Sequence, residues 1–154
     1  MKTTWTRKEV AKITGIPERR VLYYTEQPLL IPGVKTDVGR GTAREYDQKA
    51  IFYLLLIKEL DSVGLSLSVI RSLVKAIWLK TMDRPTDMEF MGKKLDLWVN
   101  GKFTEKPIIL IISLNDEGKG FSFGIEEGKT EITIRVDRTK IVLNLNQIFK
   151  KSGL

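Results

Sequence analysis

Apolar residues fall at helical spacing through the first 80 positions and tend to alternate beyond position 95, so the chain reads as helices first and strands afterwards. Thr6-Arg7-Lys8-Glu9 places Thr at a helix N-cap with Glu three residues on, where each side chain can satisfy an orphan amide. Val10, Ala11 and Ile13 come next, and Gly15 tolerates the positive φ of a helix stop, which predicts a helix over about 6–14. Ile16-Pro17 restarts the chain, because proline suits a first helical turn, and a second helix over about 17–27 ends before Pro28. Two short helices joined by a tight glycine-containing turn outline a helix-turn-helix.

On the second helix Val21 and Tyr24 face inward at three-residue spacing, leaving Glu18, Arg19, Arg20 and Tyr23 to solvent. Arg bonds guanine edges or phosphates, and Tyr bonds phosphates while packing on sugar, so these four are a candidate reading surface for duplex DNA. A solvated basic helix face is the alternative. Residues 31–46 favour the DNA reading, because they form the pattern of a hairpin with a basic, glycine-rich tip at Gly39-Arg40-Gly41 and a return strand carrying Arg44 and Tyr46. A basic hairpin directly after a helix-turn-helix is a wing. Asp47 is an N-cap for a third helix whose apolar run from Ala50 to Leu60 marks it as the central core helix. Gly64 ends it, Ser66 caps a fourth, and Leu67, Ile70, Leu73, Val74 and Ile77 form its apolar stripe.

After Trp78 the pattern loosens. Leu95 to Val99 alternates and runs into Asn100-Gly101, a strong short hairpin signal, although Met88, Met91, Leu95 and Trp98 also fit one face of a continuous helix. We take the hairpin, since that stripe covers barely two heptads. Segments 107–114, 120–125, 130–136 and 140–145 read as strands separated by polar turns, and Asn146 to Ser152 as a closing helical turn or two. So small a module buries little apolar surface alone, and pairing with a second copy is a natural way to finish its core. A pocket for a small effector is the other role considered, with Trp98, Phe103, Phe121 and Phe123 as aromatic candidates that serve equally as core.

Composition narrows the chemistry. The 154 residues hold 26 Lys and Arg against 19 Asp and Glu, a net charge of +7 with no histidine, so the excess does not titrate away near neutral pH. Residues 1–44 carry nine cations against four anions, whereas residues 76–154 carry thirteen against eleven. A polyanion facing the N-terminal half is the partner this distribution implies. Absence of both Cys and His removes disulfides, thiolate chemistry, most zinc sites and imidazole catalysis, and no cofactor or metal site is expected. Asp116-Glu117 and Glu126-Glu127 lie in expected turns without a nucleophile or phosphate loop nearby, so an enzyme is not the expectation. The aliphatic runs are too short to span a bilayer, and the expected location is the cytoplasm.

Residues 3–77 resemble the MerR family of bacterial transcription regulators. Thr6 to Ile16 is similar to that family's first helix and turn, and Val21-Leu22-Tyr23-Tyr24 to its recognition-helix Arg-Tyr-Tyr element. Leu29-Leu30-Ile31-Pro32 resembles its exit, Arg44-Glu45-Tyr46 the Arg-x-Tyr of its wing, and Leu60 to Ile70 its connection between later helices. Leu22 stands where Arg is usual and Pro28 where Gly is usual, which bears on the preferred half-site. The resemblance implies binding to palindromic double-stranded DNA as a homodimer, with one recognition helix and one wing per half-site. It carries phosphate and groove roles to Arg19, Arg20, Tyr23, Tyr24, Lys35, Arg40 and Arg44, beside Glu18 from the helix face. Without cysteine, the thiolate metal sensing common in that family has no ligands here.

The expected architecture is therefore α+β: a winged helix-turn-helix over 1–78, a linker or short helix over 79–94, and a β-rich dimerisation or effector module over 95–154. Two other classes are consistent with the same pattern, an architectural, excisionase-like or segregation-type DNA binder and an antitoxin-like module with a protein partner. Footprints at attachment or partition sites would mark the first, and a stoichiometric co-purifying protein the second.

Overall fold

Capping residues start the helices where the sequence places them. In the computed structural model, which describes residues 2–26, 34–35, 44–82, 108–114, 121–127, 134–136 and 140–150, Trp5–Thr6 is a short strand, β1, and helix α1 runs Arg7–Thr14. The capping box forms in full: the Glu9 amide donates to the Thr6 hydroxyl at 3.4 Å, and the Thr6 amide donates to the Glu9 carboxylate at 2.9 Å. Gly15 ends α1 at φ 67°, its N–H returning to the Ala11 carbonyl at 2.9 Å. The Pro17 carbonyl then accepts from the Arg20 and Val21 amides at 2.8 and 3.0 Å, opening α2, Glu18–Glu26.

Past α2 the backbone pairs instead of coiling. β2, Val34–Lys35, lies antiparallel to β3, Glu45–Tyr46, with Val34 opposite Tyr46 and Lys35 opposite Glu45. β3 also pairs with β1, Trp5 opposite Tyr46, so the sheet order is β1-β3-β2 and the return strand is tied to the start of α1. The expected tip at Gly39-Arg40-Gly41 lies outside the described residues.

Asp47 caps α3, Gln48–Ser62, its carboxylate accepting from the Ala50 amide at 3.0 Å. Ala50 through Ile57 and Leu60 are all buried, which no half-exposed helix would be. α3 is enclosed because it touches α1, β3 and α4, Leu67–Met82, together with the last helix, α5, Leu145–Lys150. Helix α4 runs past Trp78, where the sequence pattern loosens; its buried stripe includes Ile70, Leu73 and Val74. The expected hairpin at Asn100-Gly101 and the rival stripe at Met88, Met91, Leu95 and Trp98 lie outside the described residues.

The second half forms an antiparallel sheet of β4 (Ile108–Leu114), β5 (Phe121–Glu127), β6 (Ile134–Val136) and β7 (Lys140–Asn144), in the order β5-β4-β7-β6. Leu110 lies opposite Leu143 and Ile112 opposite Ile141, so these four share one face, all buried. The Asn144 side chain accepts from the Gln147 amide at 3.2 Å and starts α5. Leu110, Ile112, Ile141, Leu143, Leu145 and Ile148 belong to one hydrophobic cluster with Val10, Val21 and the buried residues of α3. This face of the module thus shares its core with the chain's own central helix. The reason is that the apolar run Ala50 to Ile57 with Leu60 goes all the way round α3 and leaves a surface for α5 beside those facing α1 and α4.

Candidate nucleic-acid interface

Residues of an α-helix advance by about 100° each, so the burial of Val21 and Tyr24 fixes which way α2 presents its other side chains. Opposite that buried side stand Arg19, Tyr23 and Glu26, all exposed. Tyr23 is 43% exposed and its ring centroid is 5.9 Å from that of Tyr24, so the tyrosine pair passes from core to solvent. Arg19 has no ion pair among the described residues, leaving an uncompensated cation beside an exposed aromatic ring.

The two flanks of α2 differ. On one, Thr6, Arg7, Lys8, Glu18, Leu22, Arg44 and Tyr46 line a cleft of about 350 Å³ between the start of α1, α2 and β3. Arg7 Nε lies 3.5 Å from the Glu18 carboxylate. Arg44 is half-buried, donates to the Thr25 hydroxyl at 3.2 Å and approaches the Glu26 carboxylate at 3.6 Å, bracing β3 against the later half of α2. The Tyr46 hydroxyl is buried with no hydrogen-bond partner among the described residues.

On the opposite flank, the Arg20 guanidinium donates to the Asp61 carboxylate at 2.9 Å and lies 5.8 Å from the Tyr24 ring centroid. Tyr24, expected as a groove or phosphate contact, is 2% exposed. Its place three residues after Val21 puts it in the core. Burial, and then the charge of Asp61, push its hydroxyl above the ordinary tyrosine range, so it stays protonated.

Of the eight residues read from the sequence, Glu18 and Arg44 thus meet at the cleft and Arg19 and Tyr23 share the outer ridge, whereas Arg20 and Tyr24 turn toward α3. The Lys35 backbone pairs with Glu45, while its side chain and the whole of Arg40 lie outside the described part of the structure. Sequence reading passed over Arg7 and Lys8. Both line the cleft from the first turn of α1, where cations oppose the helix dipole and Arg7 is offset by its pairing with Glu18.

Among the described residues no helix is long and apolar enough to cross a membrane, and no three Asp or Glu side chains converge as a metal site. The sequence model of the MerR HTH family regulatory protein matches residues 6–77. The chain is 36% identical over 66 residues to the HTH-type transcriptional regulator CueR of Yersinia pestis, covering 43% of this chain and 45% of that protein. Over 60 residues it is 35% identical to an uncharacterized HTH-type transcriptional regulator of Mycobacterium tuberculosis, covering 39% of this chain and 27% of that one. The chain therefore spans less than half the length of these relatives.

Proposed function

Residues 6–77 are a MerR-family helix-turn-helix domain, and from that premise we propose that the chain is a sequence-specific transcription regulator binding duplex DNA as a homodimer. In this reading the ridge of Arg19 and Tyr23 enters the major groove. The hairpin of β2 and β3 is the wing, with Lys35, Arg40 and Arg44 on backbone phosphate. Arg7 and Lys8 extend that contact along the start of α1, where the cleft opens between helix and hairpin. A palindromic operator is the consequence of two-fold symmetry, one half-site per protomer. Residues 1–78 bind DNA, 79–94 connect, and 95–154 supply dimerisation or an effector site; the work is done in the cytoplasm, where the DNA is.

The observation that supports this most is the bracing of β3 on α2 through Arg44, which ties the return strand of the hairpin to the helix that carries the exposed ridge. The test is selection of duplexes from a randomised pool by the purified chain, with affinity then measured over a salt series. Nanomolar to sub-micromolar binding to an inverted repeat is expected, with the logarithm of affinity falling linearly in the logarithm of salt. Arg19→Met should flatten that slope by about one or abolish selection of one base position. Recovery of no enriched sequence, with no binding at low salt, would end the proposal.

A further inference from the structure

We propose that Lys58 and Asp61, one turn apart on α3, form a two-point polar clamp that sets the angle of the helix-turn-helix, and that Arg20 is a positioning residue of α2 and not a DNA contact. The inference rests on the DNA-binding reading above and deepens it, by dividing the basic residues of α2 into one that reads and one that aims.

The first point of the clamp is the Lys58 ammonium, which donates to the Thr14 carbonyl at 2.7 Å. Thr14 is the last residue of α1, where carbonyls lack helical partners and the dipole is negative, so a cation is suited to this position. The Thr14 hydroxyl is already engaged, donating to the Val10 carbonyl at 2.8 Å and accepting from the Ile16 amide at 3.2 Å. The second point is Asp61, which holds Arg20 at 2.9 Å in the first turn of α2 while the buried Tyr24 ring supports the same guanidinium. Gly15, Ile16 and Pro17 line a recess of about 70 Å³ between the two contacts, so the clamp closes around the turn that joins the two helices.

Direction matters for Arg20. It lies about 100° around α2 from Arg19 and on the far side from Leu22, which lines the cleft with Arg44. Its charge therefore leaves the helix toward α3. The apolar contacts of Val10, Val21 and Tyr24 fix how deeply the two helices are buried, but such contacts are non-directional and tolerate rotation. A reading helix must be held within roughly 0.5 Å and 10–20° of its working geometry, which directional hydrogen bonds from a rigid neighbour supply.

The experiment uses the full chain and the duplex that the wild-type chain selects from a randomised pool, with a scrambled duplex as control. Arg20→Met should weaken the selected duplex about two- to fivefold, the range of an exposed ion pair, and leave the salt slope at the wild-type value. Arg20→Asp and Asp61→Arg should each weaken it further. The two together should restore affinity to within about twofold of wild type, because the swapped pair rebuilds the same brace. Should a variant lack a cooperative unfolding transition, Asp61→Asn takes its place: an aiming role requires weaker binding although a cation has been freed. Flattening of the slope by about one in Arg20→Met, or a double swap no tighter than Arg20→Asp alone, overturns the inference. A wild-type chain that selects nothing overturns the parent reading instead, before any variant is made.

Discussion

Gly15 and Gly64 each end a helix with positive φ, at 67° and 86°, yet their surroundings differ. A Cβ on Gly15 would stand 3.1 Å from the Lys58 ammonium, whereas one on Gly64 would meet nothing within 4 Å. Both alanine variants incur the left-handed cost of about 1–2 kcal/mol, and in Gly15→Ala the Lys58 ammonium must also give by a few tenths of an ångström. Gly15→Ala should therefore be the more destabilising of the two in urea unfolding, and equal losses would show that the Lys58 contact adds nothing. Glu9 offers a second residue-level test. Its hydrogen bonds from Lys2 and from the Thr6 amide lower its carboxyl from 4.5 to about 2. A depressed folded value means that the stabilisation is complete above about pH 4.5 and disappears as pH falls toward about 2. Comparison of wild type with Glu9→Gln across that window should show a gap in melting temperature that closes with acid; a constant gap would mean that only the neutral hydrogen bond matters.

At the scale of elements, what was legible in the sequence was whatever short-range chemistry dictates. Thr6, Gly15, Pro17 and Asp47 bounded α1, α2 and α3 to within a residue or so, because a cap or a stop acts on neighbours in the chain. Val21 and Tyr24 are legible as the inward face by spacing alone. Arg20 was not legible. Spacing places it at the edge of the exposed arc, and only the position of α3 decides that its charge goes to Asp61, forty-one residues away. The same limit hid the cleft, which needs α1, α2 and β3 together. Arg44 is where element and function meet: Arg44→Met removes the Thr25 bond and the Glu26 pair, and the latter, being partly exposed, is worth only about 0–1 kcal/mol. Its loss should leave unfolding nearly unchanged while flattening the salt slope of DNA binding by about one. An unchanged slope would make Arg44 a brace for the hairpin and remove it from the phosphate contacts.

The whole molecule couples its halves through α3. That helix supplies buried residues against α1 and β3 on one side and touches α5 and α4 on others, and its side chains join those of β4 and β7 in one cluster. A reading surface held by α3 through the Lys58 and Asp61 contacts is thus held, at one remove, by the C-terminal sheet. Ile148, 2% exposed on α5, is the place to test this, because it lies far along the chain from every residue assigned to DNA. Truncation of a buried Ile to Ala costs about 2–5 kcal/mol through lost burial and the cavity left behind. With a shared core, Ile148→Ala should lower the hydrogen-exchange protection of α1 and α3 amides along with those of β4 and β7, since one cooperative unit opens together. Were the halves independent, only the β4 and β7 amides would lose protection, and the sheet would have no means of passing a bound ligand or a second copy's influence to the reading helix. Coupled loss instead makes α3 the route by which an event at the C-terminal module alters the affinity of α2 for DNA, with a ceiling set by the free energy the shared core contributes.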